Sequence, residues 1–289
     1  MLSVEDVRTD ITAKVQAAKL EFRPFPHLIV PNFFPTEVYD SILKYNLFEA
    51  NAGEELVSRA VMAQMRLRQP YHLRKQINFH ARPEIRAESA ALQFWDQLAN
   101  VFLDGDWFPK LVFSKFPEYF LLRFGEAVYD EHLWNKLEKQ FFLQRHDVGY
   151  YLGPHTDRST RIFTCIFSLA DREGFEQCGT QFVRPKDPFV RCWGDGHHEF
   201  KDFDVVQTVP YRPNHFLLFF KTRHTFHSVK MIDESVPNSR LGMQFQYFEP
   251  VNGVFRDLSR PDLMVWDQTN WRGKVMRLRR MLAAAWANK

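Results

Sequence analysis

The hydrophobic rhythm of the chain changes about half way along. In the first 20 residues apolar side chains return every three to four positions. Val4, Val7, Ile11, Val15 and Ala18 fall on one side, which predicts an amphipathic helix. Phe25 to Pro31 is a short apolar run fenced by prolines and reads as a strand. Pro35 then stands near the first turn of a helix running to Leu43. Glu88 to Leu103 reads as another helix, its Leu92, Trp95, Leu98 and Phe102 spaced as one buried face.

From about residue 140 the period falls to two. Runs at 141–148, 161–169, 179–183, 204–209, 215–220, 226–232 and 240–248 read as strands, with Gly, Pro, Asn and Asp between them. Many short strands after a helical beginning suggest a β-sandwich or barrel flanked by helices. The tail, Trp271 to Lys289, has Val275, Met276, Leu278, Met281 and Leu282 at helical spacing, with basic residues read as a solvated face. Neither repeats nor a linker interrupt the chain. It is therefore read as one domain: mostly helical support over 1–138, a β core over 139–250 and a helical extension over 251–289.

The last strand carries the sharpest pattern. Arg240, Gly242, Gln244 and Gln246 share one face, while Leu241, Met243, Phe245 and Tyr247 share the other. A strand with its polar side in water gives this alternation, and so does the wall of a polar pocket. Taken alone, the pattern favours water.

Composition narrows the classes of partner. A net charge of +3 is too small to argue for a nucleic-acid surface. No run approaches the roughly 20 uninterrupted apolar residues of a membrane span. The N-terminus, Met-Leu-Ser-Val-Glu-Asp, is acidic where a signal peptide is basic and then apolar, so a cytoplasmic protein is expected. Cys165, Cys178 and Cys192 are too few and too scattered for a disulfide framework or a Cys-rich zinc site, and Cys165 sits in an apolar run that reads as core.

His155-Thr156-Asp157 is the candidate chemistry. Chance alone gives about one H-x-[DE] in a chain of this composition, and this chain has two, the other being His197-His198-Glu199. On an extended backbone positions i and i+2 share a face, so His155 and Asp157 can converge on one metal about 6–7 Å apart along the strand. Two histidines and one carboxylate form the ligand set of non-haem Fe(II) oxygenases. The best third ligand is His227, with His224 in the neighbouring turn as a rival. Arg240, thirteen residues beyond His227, can bind a carboxylate through two hydrogen bonds. A hairpin pairing Met231 with Arg240 puts His227 and Arg240 on one face, about 13 Å apart. His197-His198-Glu199 lies in a Gly-rich stretch and reads as an exposed, solvated loop, with a place near the pocket mouth left open.

Taken in order, these residues resemble the 2-oxoglutarate- and Fe(II)-dependent dioxygenase superfamily, its prolyl-hydroxylase-like branch in particular, over roughly residues 140–250. The resemblance implies a double-stranded β-helix, a jelly-roll or cupin-like barrel, flanked by N- and C-terminal helices. It implies His155, Asp157 and His227 as iron ligands and Arg240 as anchor for the far carboxylate of 2-oxoglutarate. His146, standing where many relatives carry Tyr, and Gln144 are further candidate contacts for that co-substrate. Gly242 departs from the Ser of plant-type relatives. Related halogenases carry Gly or Ala in place of Asp157, so its carboxylate points to hydroxylation or another oxidation. The implied cofactors are Fe(II), 2-oxoglutarate and O₂, and the implied activity is hydroxylation of an unactivated C–H bond. A small molecule such as an amino acid is the expected substrate, with neither nucleic acid nor membrane as partner. Two other readings stay open: a metal-free β-barrel that binds a small ligand, and a cupin-like metalloenzyme that needs no 2-oxoglutarate.

Overall fold

Nearly every strand after residue 137 is apolar on at least one face, and burying those faces stacks two antiparallel sheets. The computed structural model describes residues 3–50, 73–79, 87–158, 160–190, 192, 196–234 and 239–249. The tail helix expected over 271–289 lies outside them. Eight strands make the core: β3 (Glu138–His146), β4 (Leu152–His155), β5 (Arg161–Leu169), β6 (Thr180–Pro185), β7 (Phe203–Val209), β8 (Pro213–Phe220), β9 (His227–Val229) and β10 (Arg240–Phe248). Two earlier strands, β1 (His27–Val30) and β2 (Arg74–Asn78), extend the larger sheet at its two edges. The six-stranded sheet has the order β1-β8-β5-β10-β3-β2, and the four-stranded sheet the order β4-β9-β6-β7. This alternation of sequential strands between sheets is that of a jelly roll, open rather than closed into a barrel.

The helices are α1 (Val4–Ala17), α2 (Thr36–Lys44), α3 (Leu47–Ala50), α4 (Ser89–Leu103), α5 (Trp107–Lys115), α6 (Pro117–Phe124) and α7 (Glu131–Lys136). Their apolar faces join the outer face of the large sheet in one cluster, which includes Ile11 and Val15 of α1 and Trp95 and Phe102 of α4. Aromatic rings dominate it: Phe102 stands 4.0 Å from Phe245 and Phe33 4.2 Å from Phe216, centroid to centroid. Ring pairs at such distances add about 0.5–1.5 kcal/mol each beyond their area. Strand β8 is apolar on both sides because Phe216, Leu218 and Phe220 meet this layer while Leu217 and Phe219 face the other sheet.

Two expectations change. The run 226–232 is a strand only over His227–Val229, and it forms no hairpin with β10, because the chain crosses to the other sheet between them. His227 and Arg240 therefore approach the interior from opposite sheets. The polar face of β10 also departs from the pattern-based reading: Arg240 and Gln246 are each only 5% exposed and line a cavity between the sheets, not water. Strand β2 gave no alternating signal, since Arg-Lys-Gln-Ile-Asn carries a single apolar side chain.

Gly179 shows how tightly the small sheet is tied. A Cβ there would lie 1.7 Å from the Val209 carbonyl oxygen, at the place where Thr180 pairs with Val209. Gly179→Ala is expected to destabilise the fold by about 2–3 kcal/mol, as overpacking against backbone does. Gly196→Ala, where an added Cβ meets nothing within 4 Å, should stay within about 0.5 kcal/mol of wild type. Urea unfolding of both variants checks the contrast.

Candidate metal centre

The centre is assembled by one rung of the small sheet. His155 closes β4 and His227 opens β9, and the two are direct partners across that antiparallel pair. The register shifts between Leu152 and His155, at Gly153-Pro154, which turns the strand end toward the cavity. Each histidine points Nδ1 at a carbonyl two residues back in its own chain: His155 to Gly153 at 2.9 Å and His227 to Thr225 at 3.1 Å. Those bonds place the proton on Nδ1 and leave each Nε2 free to bind a metal. The rings stand 4.2 Å apart. Asp157 follows just past the strand end, its Oδ1 3.8 Å from His227 Nε2. One ligand atom from each of the three lies within 4.8 Å of the others.

Charge states suit a cation. Burial holds His155 well below the usual imidazole range, helped by the neighbouring His227 and His197, and burial lowers His227 as well. Burial opposes the charge of Asp157, yet Arg161, the two imidazoles and Thr164 outweigh it and keep the carboxyl far below the usual carboxylate range. Two neutral imidazoles and one ionised carboxylate on a three-point face fit ferrous iron and leave its other positions open. Asp157 is held from behind: Arg161 Nη1 donates to its Oδ1, and Thr164 Oγ1 donates to its Oδ2 at 2.5 Å.

Thr156, between the two candidate ligands, ties the motif to the chain behind it through its hydroxyl. Its hydroxyl accepts from Lys221 Nζ at 2.6 Å and donates to the Cys192 carbonyl at 3.1 Å. Lys221 is fully buried, and burial brings it down to about 8. Burial pushes the Cys192 thiol up, but hydrogen bonds from His198 and Thr156 and the charge of Lys221 bring it down to about 6. Nothing in the spacing of Cys192, His198 and Lys221 announced this cluster.

The co-substrate candidates lie in the facing sheet. Arg240 of β10, His146 of β3 and Arg74 of β2 form one row, as do Gly242, Gln144 and Gln76 in the next inward row. Arg240 Nη1 donates to His146 Nδ1 at 2.9 Å. A guanidinium can only donate, so Nδ1 accepts and the imidazole proton sits on Nε2. Burial, with Arg240 and Arg74 beside it, keeps this imidazole neutral. His146 stacks on Tyr150 at 4.2 Å with ring planes 6° apart. Gln144 Nε2 donates to Gln76 Oε1 at 3.1 Å. His146, Gln144, Arg240 and the His155–Asp157–His227 trio all line one cavity of about 380 Å³.

The rivals fall elsewhere. His224 is exposed in its turn and takes no part in the cluster. His197, expected in a solvated loop, is half-buried and lines the cavity with its ring 4.7 Å from that of His155. Cys165 is buried core as expected. Sequence reasoning passed over Arg74, Arg161 and Thr164; the one available signal was that Arg161 opens a strand next to the motif.

No family model and no curated protein matches the chain. Among solved structures it is similar to a prolyl 4-hydroxylase from Phytophthora capsici, at 14% identity and a TM-score of 0.47, over 97% of this chain and 76% of that one. It is also similar to a Pseudomonas putida prolyl-4-hydroxylase, at 13% identity and 0.45, over 83% and 98%. HygX from Streptomyces hygroscopicus, with nickel, 2-oxoglutarate and hygromycin B bound, matches at 12% and 0.39, over 77% and 82%. Scores this low carry no weight in assigning a function, which rests on strand order and on the geometry of the cavity.

Asp157→Ala should abolish stoichiometric Mn(II) binding in a metal titration. It also strands the Arg161 guanidinium, so the metal-free protein should lose about 3–5 kcal/mol in urea unfolding. Wild-type Mn(II) affinity in the variant would remove Asp157 from the ligand set.

Proposed function

We propose that the chain is an Fe(II)- and 2-oxoglutarate-dependent oxygenase that hydroxylates an unactivated C–H bond of a small molecule. Iron with 2-oxoglutarate and O₂ supplies the oxidation, one oxygen atom entering the substrate and the other leaving in succinate as CO₂ is released. The chain's own residues bind, orient and exclude water. His155, Asp157 and His227 hold the metal from one side of the cavity. Arg240 receives the far carboxylate of 2-oxoglutarate from the other sheet, and His146 lies beside it.

The observation that carries the reading is a pair of orphaned donors. His146 Nε2, shown above to bear the proton, and Arg240 Nε are both buried without a hydrogen-bond partner among the described residues. No carboxylate pairs with Arg240 among those residues either. A buried donor left unmade costs about 1–3 kcal/mol, more when charged. A carboxylate placed between them answers both donors and the charge. That explains why a histidine serves where many members of the superfamily have a tyrosine: its Nε2–H donates as a phenol would, provided Nδ1 is occupied by Arg240. Phe142, Ile166 and Val229 supply apolar wall to the same cavity and help keep water from it.

Under anaerobic conditions Fe(II) and then 2-oxoglutarate should give the visible charge-transfer band of the chelated co-substrate. Arg240→Ala is expected to weaken 2-oxoglutarate binding by at least about 100-fold, the loss of charge-assisted bonds worth roughly 1.5–3 kcal/mol each, while Fe(II) still binds. Unchanged co-substrate affinity in that variant would move the anchor elsewhere. Absence of the band with iron bound would exclude 2-oxoglutarate.

A further inference from the structure

Assigning Arg240 to the co-substrate leaves the cavity with more cations than its one acid answers. Its described lining residues include Arg74, Arg158, Arg161 and Arg240, against the single carboxylate of Asp157. A ferrous ion and a 2-oxoglutarate dianion cancel, so they leave the excess of positive charge as it is. Arg158 is exposed and solvated. Arg74 and Arg161 are not: each has its Nε buried with no partner among the described residues. The rest of each fork meets mainly neutral oxygens. Arg74 Nη2 donates to Gln76 Oε1 at 2.5 Å, and Arg161 Nη2 to Gln246 Oε1 at 2.8 Å. The one acid on Arg161 is Asp157, whose charge the metal would share.

Position sets Arg161 apart from the co-substrate end and puts Arg74 beside it. Arg161 pairs with Phe248 at the far end of β10 from Arg240. Arg74 comes from the edge strand β2, in the same row as His146 and Arg240, and its charge presses on both Arg161 and Arg240. The inner face of β3 and β10 between the two ends is carpeted with amides, Gln140, Gln144, Gln244 and Gln246, which offer hydrogen bonds without adding charge.

We infer that the second occupant of the cavity, the organic substrate, is a small anion whose carboxylate or phosphate docks on Arg74 and Arg161. This rests on the proposed function, because it is the metal and 2-oxoglutarate that define the space left over. Planar guanidinium forks match either oxyanion through paired hydrogen bonds. The docked group fixes one end of the substrate while its carbon skeleton reaches the metal, so anionic compounds are taken and their amides or esters refused.

The test uses the full chain loaded with Mn(II) and saturating 2-oxoglutarate, and reads ¹⁹F relaxation of trifluoroacetate, monofluorophosphate and trifluoroethanol, each brought close to the metal only by binding. At least one anion should relax far faster than the neutral alcohol, trifluoroacetate naming a carboxylate and monofluorophosphate a phosphate. Arg74→Gln or Arg161→Gln should cut that excess by about tenfold, one charge-assisted contact. Anions relaxed no faster than the alcohol, or equally fast in both variants, overturn the inference. The comparison of anion with alcohol in the wild type stands even if Arg161→Gln unsettles Asp157. Failure of the underlying reading shows separately and earlier, as no Mn(II) uptake or no 2-oxoglutarate binding before any fluorinated probe is added, and it takes the inference with it.

Discussion

The pairing of His155 with His227 is the contact on which the rest of the site depends. Because the two residues are opposite partners on β4 and β9, the ladder hydrogen bonds that build the small sheet also set the spacing of two imidazoles. Each ring is then fixed in rotation by its own chain's carbonyl. Asp157, two residues beyond His155, can reach the same point only because β4 ends there and the chain is free to turn. A slip of one residue in this pairing would send one imidazole to the other face of the sheet, and no side-chain adjustment could recover it.

Holding so many polar groups inside a sandwich is costly, and the outer layer offsets it. Between the sheets lie the buried Arg240, the half-buried Arg74 and Arg161, four histidines and a carboxylate, several with unsatisfied atoms. Each unpaired donor subtracts stability. On the opposite face of the same large sheet the strands carry Phe141, Phe163, Phe167, Phe216 and Phe245 into a continuous aromatic cluster with the helices. The alternation of β10 joins these two roles in a single strand: Met243, Phe245 and Tyr247 secure it, and the residues between them are free to serve the cavity. The abundance of phenylalanine in the sequence belongs to this layer.

The strands and the His155-x-Asp157 motif were legible because each depends on local period or short spacing. The metal-proximal strand β5 and the last strand β10 run over the residues their alternation marked out. What stayed hidden depends on which strand lies next to which. Alternation tells which residues share a face but not what the face meets, so on the pattern alone the face of Arg240 and Gln246 read as solvated when both are buried. The hairpin expected between residues 226–232 and 240–248 failed for the same reason, since sequence adjacency usually implies pairing but a jelly roll sends neighbouring strands to different sheets. Arg74 was invisible in a polar edge strand. Lys221 and Cys192 meet behind Thr156 only after the sandwich has closed, their own neighbours in sequence giving no hint.

Charge then orders the cavity along its length. The trio is net negative before a metal arrives, and guanidiniums stand at both ends, Arg240 at one and Arg161 at the other. Arg161 does more than add charge: by holding Asp157 ionised and in place, it keeps a ligand ready that burial alone would neutralise. A metal held by Asp157 would relieve that bond, because the carboxylate would divide its charge between cation and guanidinium. The guanidinium would then be left partly unanswered. An anion would be drawn to Arg161 more strongly with metal present than without it. Metal binding before substrate would follow from the electrostatics of one shared carboxylate and would need no moving part.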